Sequence, residues 1–95
     1  MQPNSAEKNL AIVLRGRVQG VGFRWWSQRE ARRLGIRGTV QNHPDGSVEI
    51  QAAANSEVLA RFEKAVREGP PGARVVEVET VPSAPDLPPD FLVLS

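Results

Sequence analysis

A glycine-rich segment, Gly-Arg-Val-Gln-Gly-Val-Gly-Phe-Arg at residues 16–24, has the residue types needed to bind an anion such as phosphate. Gly20 and Gly22 allow the backbone to turn its N–H groups toward a common centre. A helix is predicted to begin at Phe23, and its positive N-terminal end would face the same point. Arg24, in the first turn, adds a planar, permanently charged group that matches phosphate oxygens. The alternative is that the glycines only turn the chain and that Arg24 is a solvated helix residue. The local pattern does not decide between the two.

Positive charge is concentrated around this segment. Residues 15–37 hold seven arginines against one acidic residue, a net charge of +6, whereas residues 38–95 sum to −5 and the whole chain to +1. Such a localised pole is typical of a protein that attracts a small anion, and it differs from the even basicity of nucleic-acid binders. The arginines other than Arg24 are expected to form a solvated field that steers anions: Arg15, Arg17, Arg29, Arg32, Arg33 and Arg37.

The composition limits the class of protein. With 95 residues, 40% hydrophobic and 24% charged, the chain fits one globular domain over residues 1–95. It has no cysteine and one histidine, so we expect no disulfide, no thiolate nucleophile, no metal site and no cofactor. The longest apolar run, residues 10–14, is too short to cross a bilayer, and no secretory signal is visible. We therefore expect a monomeric, cytoplasmic protein with no membrane partner.

Seven elements are predicted in the order β-α-β-β-α-β-β. Alternating or β-branched apolar residues indicate five strands, and apolar residues near a period of 3.6 indicate two helices. Residues 1–8 are expected to be a flexible N-terminus, and the four prolines in residues 82–89 form a stiff connector. Val76 and Val78 are assigned to one face of the fourth strand. The predicted strands cover residues 10–14, 36–42, 47–54, 74–81 and 91–94, and the helices run over 23–34 and from a cap at Asn55 or Ser56 to Gly69.

This order is typical of the α+β ferredoxin-like fold, the split βαβ sandwich. We expect an antiparallel sheet of order 4-1-3-2, two helices on one face and a short C-terminal edge strand. Strands one and two then run in the same direction, and their ends lie about 10 Å apart at one edge of the sheet. The first ends in the glycine loop and the second at Asn42. A phosphate and one water molecule fit in that gap.

The sequence also resembles the acylphosphatase family over residues 8–94. The similarity rests on residues 16–24, on Gly-Thr-Val-Gln-Asn at 38–42 and on Asp-Gly-Ser-Val-Glu at 45–49. The resemblance implies the same ferredoxin-like fold and the hydrolysis of a small-molecule acyl phosphate without a metal. It implies that Asn42 orients the attacking water and that Arg24 binds the substrate phosphate. The predicted phosphate-binding residues, through their loop N–H groups, are Gln19, Gly20, Val21, Gly22, Phe23 and Arg24.

Other residues receive structural interpretations. His43 is expected to be a solvated turn residue rather than a general base, and Trp25 is a candidate for the mouth of the pocket. The aromatic residues assigned to the core are Phe23, Trp26, Phe62 and Phe91.

Two alternatives to an enzyme remain. A nucleic-acid-binding module of this topology would need aromatic residues on the outer face of the sheet for base stacking. None stands at the predicted outer positions Arg37, Thr39, Gln41, Glu49, Gln51, Glu77 and Glu79, so no nucleic-acid partner is expected. The second alternative is a noncatalytic phosphate-binding or regulatory domain. A domain that resembles this family also occurs at the start of larger hydrogenase-maturation carbamoyltransferases.

Overall fold

The computed structural model describes residues 6–95. The strands are β1 (Lys8–Arg17), β2 (Arg37–Asn42), β3 (Val48–Ala54), β4 (Arg74–Thr80) and β5 (Phe91–Val93). They form one sheet of order β4-β1-β3-β2-β5. The helices α1 (Phe23–Arg33) and α2 (Ser56–Glu68) pack on one face, α1 over β2 and β5 and α2 over β1, β3 and β4. Of the predicted flexible terminus, residues 1–5 lie outside the described residues, and Lys8 belongs to β1.

The predicted ferredoxin-like class is confirmed, with one correction to the sheet. The order 4-1-3-2 is extended by β5, which pairs with β2 in parallel, so the sheet is not wholly antiparallel. The physical reason lies in the connection between β4 and β5. These strands are at opposite edges, and the intervening chain must cross the whole sheet before β5 can enter beside β2.

The hydrophobic core lies between the sheet and the two helices. Phe23, Phe62 and Phe91 are fully buried there as predicted, and Trp26 is partly buried against them. Phe62 meets Phe91 edge to face with ring centroids 5.7 Å apart, which joins α2 to the edge strand. Their strand neighbours in the core include Ile12, Leu14, Val40, Val48 and Ile50.

The predicted face of Val76 is wrong. The β1–β4 register shifts between Arg15 and Gly16, so β4 carries an extra residue at that point. A bulge of this kind reverses the alternation of side chains. Val76 is consequently 71% exposed, while Val75 and Val78 pack against the core.

The segment between β4 and β5 lies on the outer face of the sheet. The Gln51 side chain donates to the carbonyl oxygen of Pro82 (3.2 Å) and accepts from the N–H of Ala84 (2.9 Å). Arg37 donates to the carbonyl oxygen of Leu87 (2.6 Å). Gln51 is therefore buried, although its position predicts an exposed residue. The outer face is partly covered by its own chain, unlike the open platform that the nucleic-acid alternative requires.

Candidate active site

The segment after β1 delivers a helix N-terminus to the edge of the sheet. Gly22 caps α1 with φ 77° and ψ 20°, a left-handed conformation that glycine adopts without a steric penalty. Among the residues that the structure describes, no side chain caps this end, and the first turn has no acidic residue. The N–H groups of the first turn are thus free of a side-chain acceptor, and they favour an anion at this point.

A cavity of about 210 Å³ opens at this helix end. It brings together Arg24 and Asn42, which come from different elements, and most of the predicted loop residues. Val21 is the exception, because its side chain packs toward the core and its N–H remains only a predicted contact. Val18, which the sequence did not indicate as a site residue, also lines the cavity; it is fully buried and directly follows β1. The lining residues are Val18, Gln19, Gly20, Gly22, Phe23, Arg24, Trp25 and Asn42.

Asn42 is the last residue of β2. Its backbone N–H donates to the carbonyl oxygen of Ser95 (3.0 Å). Its Oδ1 atom is buried and has no hydrogen-bond partner within residues 6–95. A buried amide oxygen without a donor costs about 1–3 kcal/mol. The Asn42 amide, which carries both a donor and an acceptor, also lines the cavity.

Arg24 is partly buried at the cavity, and no carboxylate of the described part of the chain lies within ion-pair distance of it. Four of the six arginines predicted to form a solvated field form ion pairs at the surface, because β4, α1, Asp90 and the N-terminal segment bring acidic groups to them. These pairs are Arg15–Glu79, Arg32–Asp90, Arg33–Glu30 and Arg37–Glu7, with distances of 2.7 to 2.8 Å.

The Gln19 side chain connects the two halves of the site. Its Nε2 atom donates to the carbonyl oxygens of His43 (2.8 Å) and Ser47 (2.9 Å), which flank the turn between β2 and β3. The sequence predicts Gln19 only as a backbone donor to phosphate. The two side-chain bonds depend on the approach of residues 24 and 28 positions away, and no local sequence signal indicates them.

His43 is not the solvated turn residue that the sequence predicts. Its Nε2 atom lies 2.7 Å from Oε1 of Glu49, and its side chain is 32% exposed. The pKa of Glu49 lies below its ordinary value, mainly because the Gln51 side chain donates a hydrogen bond to the carboxylate. The hydrogen bond with His43 lowers it further, and partial burial opposes both effects. Across the turn, the hydroxyl and N–H of Ser47 lower the pKa of Asp45.

Within residues 6–95, no three His, Cys, Asp or Glu side chains form a group that could hold a metal ion. Neither of the helices described there has the length and apolar character needed to cross a membrane.

The fold and the cavity define a class of α+β protein that has a pocket where a glycine-rich loop enters a helix. Residues 10–92 match the model of the Acylphosphatase family. Acylphosphatase from Nitrobacter hamburgensis is 53% identical over 73 residues, which cover 77% of this chain and 74% of that protein. The crystal structure of acylphosphatase from Bacillus subtilis superimposes with a TM-score of 0.83 and 35% identity, covering 92% of this chain and 98% of that one. The chain belongs to the acylphosphatase family, and its prediction as an enzyme of that class is confirmed.

The fold also occurs within a longer protein. HypF from T. kodakarensis matches with a TM-score of 0.74 and 30% identity, over 90% of this chain and 12% of that protein.

Proposed function

We propose that this protein hydrolyses acyl phosphates to a carboxylate and inorganic phosphate without a metal ion. One observation supports the proposal most. Arg24 and Asn42, which lie on different elements, line the same small cavity as the glycines of the loop. A cation, backbone donors and an amide side chain thus meet at one cavity of about 210 Å³.

Arg24 and the loop N–H groups bind the phosphoryl group. The bond to be broken is already activated, because a carboxylate is a good leaving group. The reaction therefore needs positioning and charge stabilisation more than a strong base. Arg24, the N–H groups of residues 19–24 and the positive end of α1 supply that stabilisation at the phosphoryl oxygens.

Asn42 orients the water. Its amide, which can accept through Oδ1 and donate through Nδ2, hydrogen-bonds the water molecule, whose oxygen attacks phosphorus in line with the leaving group. The P–O bond to the acyl group breaks, and its electron pair leaves with the carboxylate. One proton of the water passes to a phosphoryl oxygen and the other stays on the attacking oxygen, so both end on the released phosphate.

The proposal includes a monomeric protein acting in the cytoplasm. The expectation of a monomer follows from the small size of the chain, 95 residues. Light scattering on the protein as it leaves a size-exclusion column measures its mass in solution. A mass of twice the 10.4 kDa of the chain would contradict the monomer.

The test of the activity is release of inorganic phosphate from benzoyl phosphate, measured with and without EDTA. We expect equal turnover in both conditions. Asn42→Ala should lose kcat strongly while inorganic phosphate inhibits it as it inhibits the wild type. Gln41→Ala, which alters the neighbouring strand residue outside the cavity lining, is the matched control and should stay near wild type.

Circular dichroism must first establish that each variant is folded. A folded wild type without activity would overturn the proposal and favour a noncatalytic anion-binding domain. Activity that EDTA abolishes would overturn its metal-independent part.

A further inference from the structure

We propose that the side chain of Gln19 is a positioning residue that sets the spacing between the phosphate-binding loop and Asn42. The inference rests on the proposed function. It assigns to Gln19 a role separate from that of its backbone N–H, which the proposed mechanism places at the phosphate.

The Gln19 amide spans the gap between the two halves of the site. Both of its bonds, 2.8 Å to the His43 carbonyl and 2.9 Å to the Ser47 carbonyl, cross from the loop to the β2–β3 turn. His43 directly follows Asn42, and Gln19 lies five residues before Arg24. One side chain therefore links the segment that carries the phosphate-binding cation to the segment that carries the water-binding amide.

The turn that receives Gln19 is held in one arrangement. The N–H of His43 donates to the Ser47 carbonyl (2.9 Å), and the N–H of Gly46 donates to the His43 carbonyl (3.1 Å). Asp45 accepts from the N–H (2.9 Å) and hydroxyl (2.6 Å) of Ser47. The His43 ring is bonded in turn to Glu49. Because the acceptors are fixed, the length of the Gln19 side chain determines how far the loop lies from Asn42.

Loss of this link should affect turnover rather than phosphate binding. The loop N–H groups and Arg24 remain when only the Gln19 side chain changes, so the anion still binds. The two carbonyls keep their N–H donors within the turn, so no acceptor is left unpaired. The distance from the bound water to phosphorus changes, and a shift of 1 Å can cost about 100-fold in rate.

The experiment compares Gln19→Met, which has a similar length and no donor, with the wild type in benzoyl phosphate hydrolysis. Gln28→Met is the matched control. It removes a bond of the same kind, from Nε2 of Gln28 to the carbonyl oxygen of Phe91 (2.9 Å), away from the cavity. Gln19→Asn, whose amide is one methylene shorter, provides a second variant if Gln19→Met does not fold.

We expect Gln19→Met to lower kcat by about 10- to 100-fold, with inhibition by inorganic phosphate changed less than about 2-fold. Gln28→Met should keep the wild-type kcat. In an Asn42→Ala background, the Gln19 substitution should cost less than about 3-fold more, because the residue it positions is already gone.

Three results would overturn the inference: an unchanged kcat in folded Gln19→Met, a parallel loss of phosphate inhibition, or losses that multiply in the double variant. A wild type without activity would instead refute the proposed function, so the two failures are distinguishable.

Discussion

Replacing Arg24 with alanine tests the charge at the cavity. Arg24 lines the cavity, and no acidic side chain of residues 6–95 pairs with it. The substitution therefore leaves no uncompensated carboxylate, and we expect a free energy of unfolding close to that of the wild type. The loss should fall on the reaction itself.

The expected loss of rate in Arg24→Ala can be estimated from the strength of the interaction between two charges. Two unit charges 4 Å apart interact by about 4 kcal/mol at an effective dielectric constant of about 20, which suits a partly buried site. Each 1.4 kcal/mol is about tenfold in rate, so the charge is worth up to about 10³-fold. Loss of a single oxyanion donor in other enzymes costs about 10²–10³-fold. We expect kcat/KM for benzoyl phosphate to fall by about 10²–10³-fold in Arg24→Ala.

Arg29→Ala is the matched control for long-range attraction. Arg29 lies on the same helix and carries the same charge, but it does not line the cavity. It should lose less than about 3-fold, and addition of salt should remove that loss. Arg24→Lys should recover only part of the activity, because an ammonium lacks the planar fork. Equal losses in Arg24→Ala and Arg29→Ala would refute the reasoning, since they would reduce Arg24 to one charge in a general field.

Three other predictions concern stability and specificity. A Cβ on Gly38 would collide with the carbonyl oxygen of Gln51, so Gly38→Ala should lower the free energy of unfolding, measured in urea, by about 3 kcal/mol. A Cβ on Gly35 would meet no neighbouring atom, so Gly35→Ala should lower it by only about 1 kcal/mol, the cost of the left-handed backbone. Because its hydrogen bonds lower the pKa of Glu49, folding favours the charged carboxylate; this stabilisation is present above pH 4.5 and is lost as the pH falls through the lower folded-state pKa. Glu49→Gln should therefore flatten the decline of Tm measured below pH 4.5, and an unchanged slope would contradict this. Trp25 lines the cavity and is 61% exposed, so its ring is available to contact the acyl group of a substrate. Trp25→Ala should therefore lower kcat/KM about 5-fold for the aromatic substrate benzoyl phosphate and less than about 2-fold for acetyl phosphate. Equal losses for both substrates would contradict such a contact.

Local chemistry made several elements predictable. Gly69 ends α2, and Asn55 caps it by accepting from the N–H of Val58 (2.9 Å). The alternation of residues 36–42 places Val40 in the core and Asn42 at the strand end. These features depend on residues close together in the chain, and a single sequence contains the information they need.

Long-range pairing accounts for what the sequence did not predict. The exposure of Val76 depends on a register shift against β1. The burial of Gln51 depends on a connector more than thirty residues further along the chain. The ion pairs of the arginines likewise join residues far apart in sequence, apart from Arg33–Glu30. No local pattern specifies such partners.

The sequence alone determined the order of elements and the glycine loop before α1, which follow from residue type, backbone preference and periodicity. The roles expected of Arg24 and Asn42 on the substrate are implied by the resemblance to the acylphosphatase family. Only the tertiary structure decided that Arg24 and Asn42 line one cavity, that the Oδ1 atom of Asn42 is buried without a partner among residues 6–95, and that Gln19 bonds across to the turn. The physical reason is that a distance between two elements results from the packing of the whole sheet and both helices, whereas a residue's preference is set by its immediate neighbours.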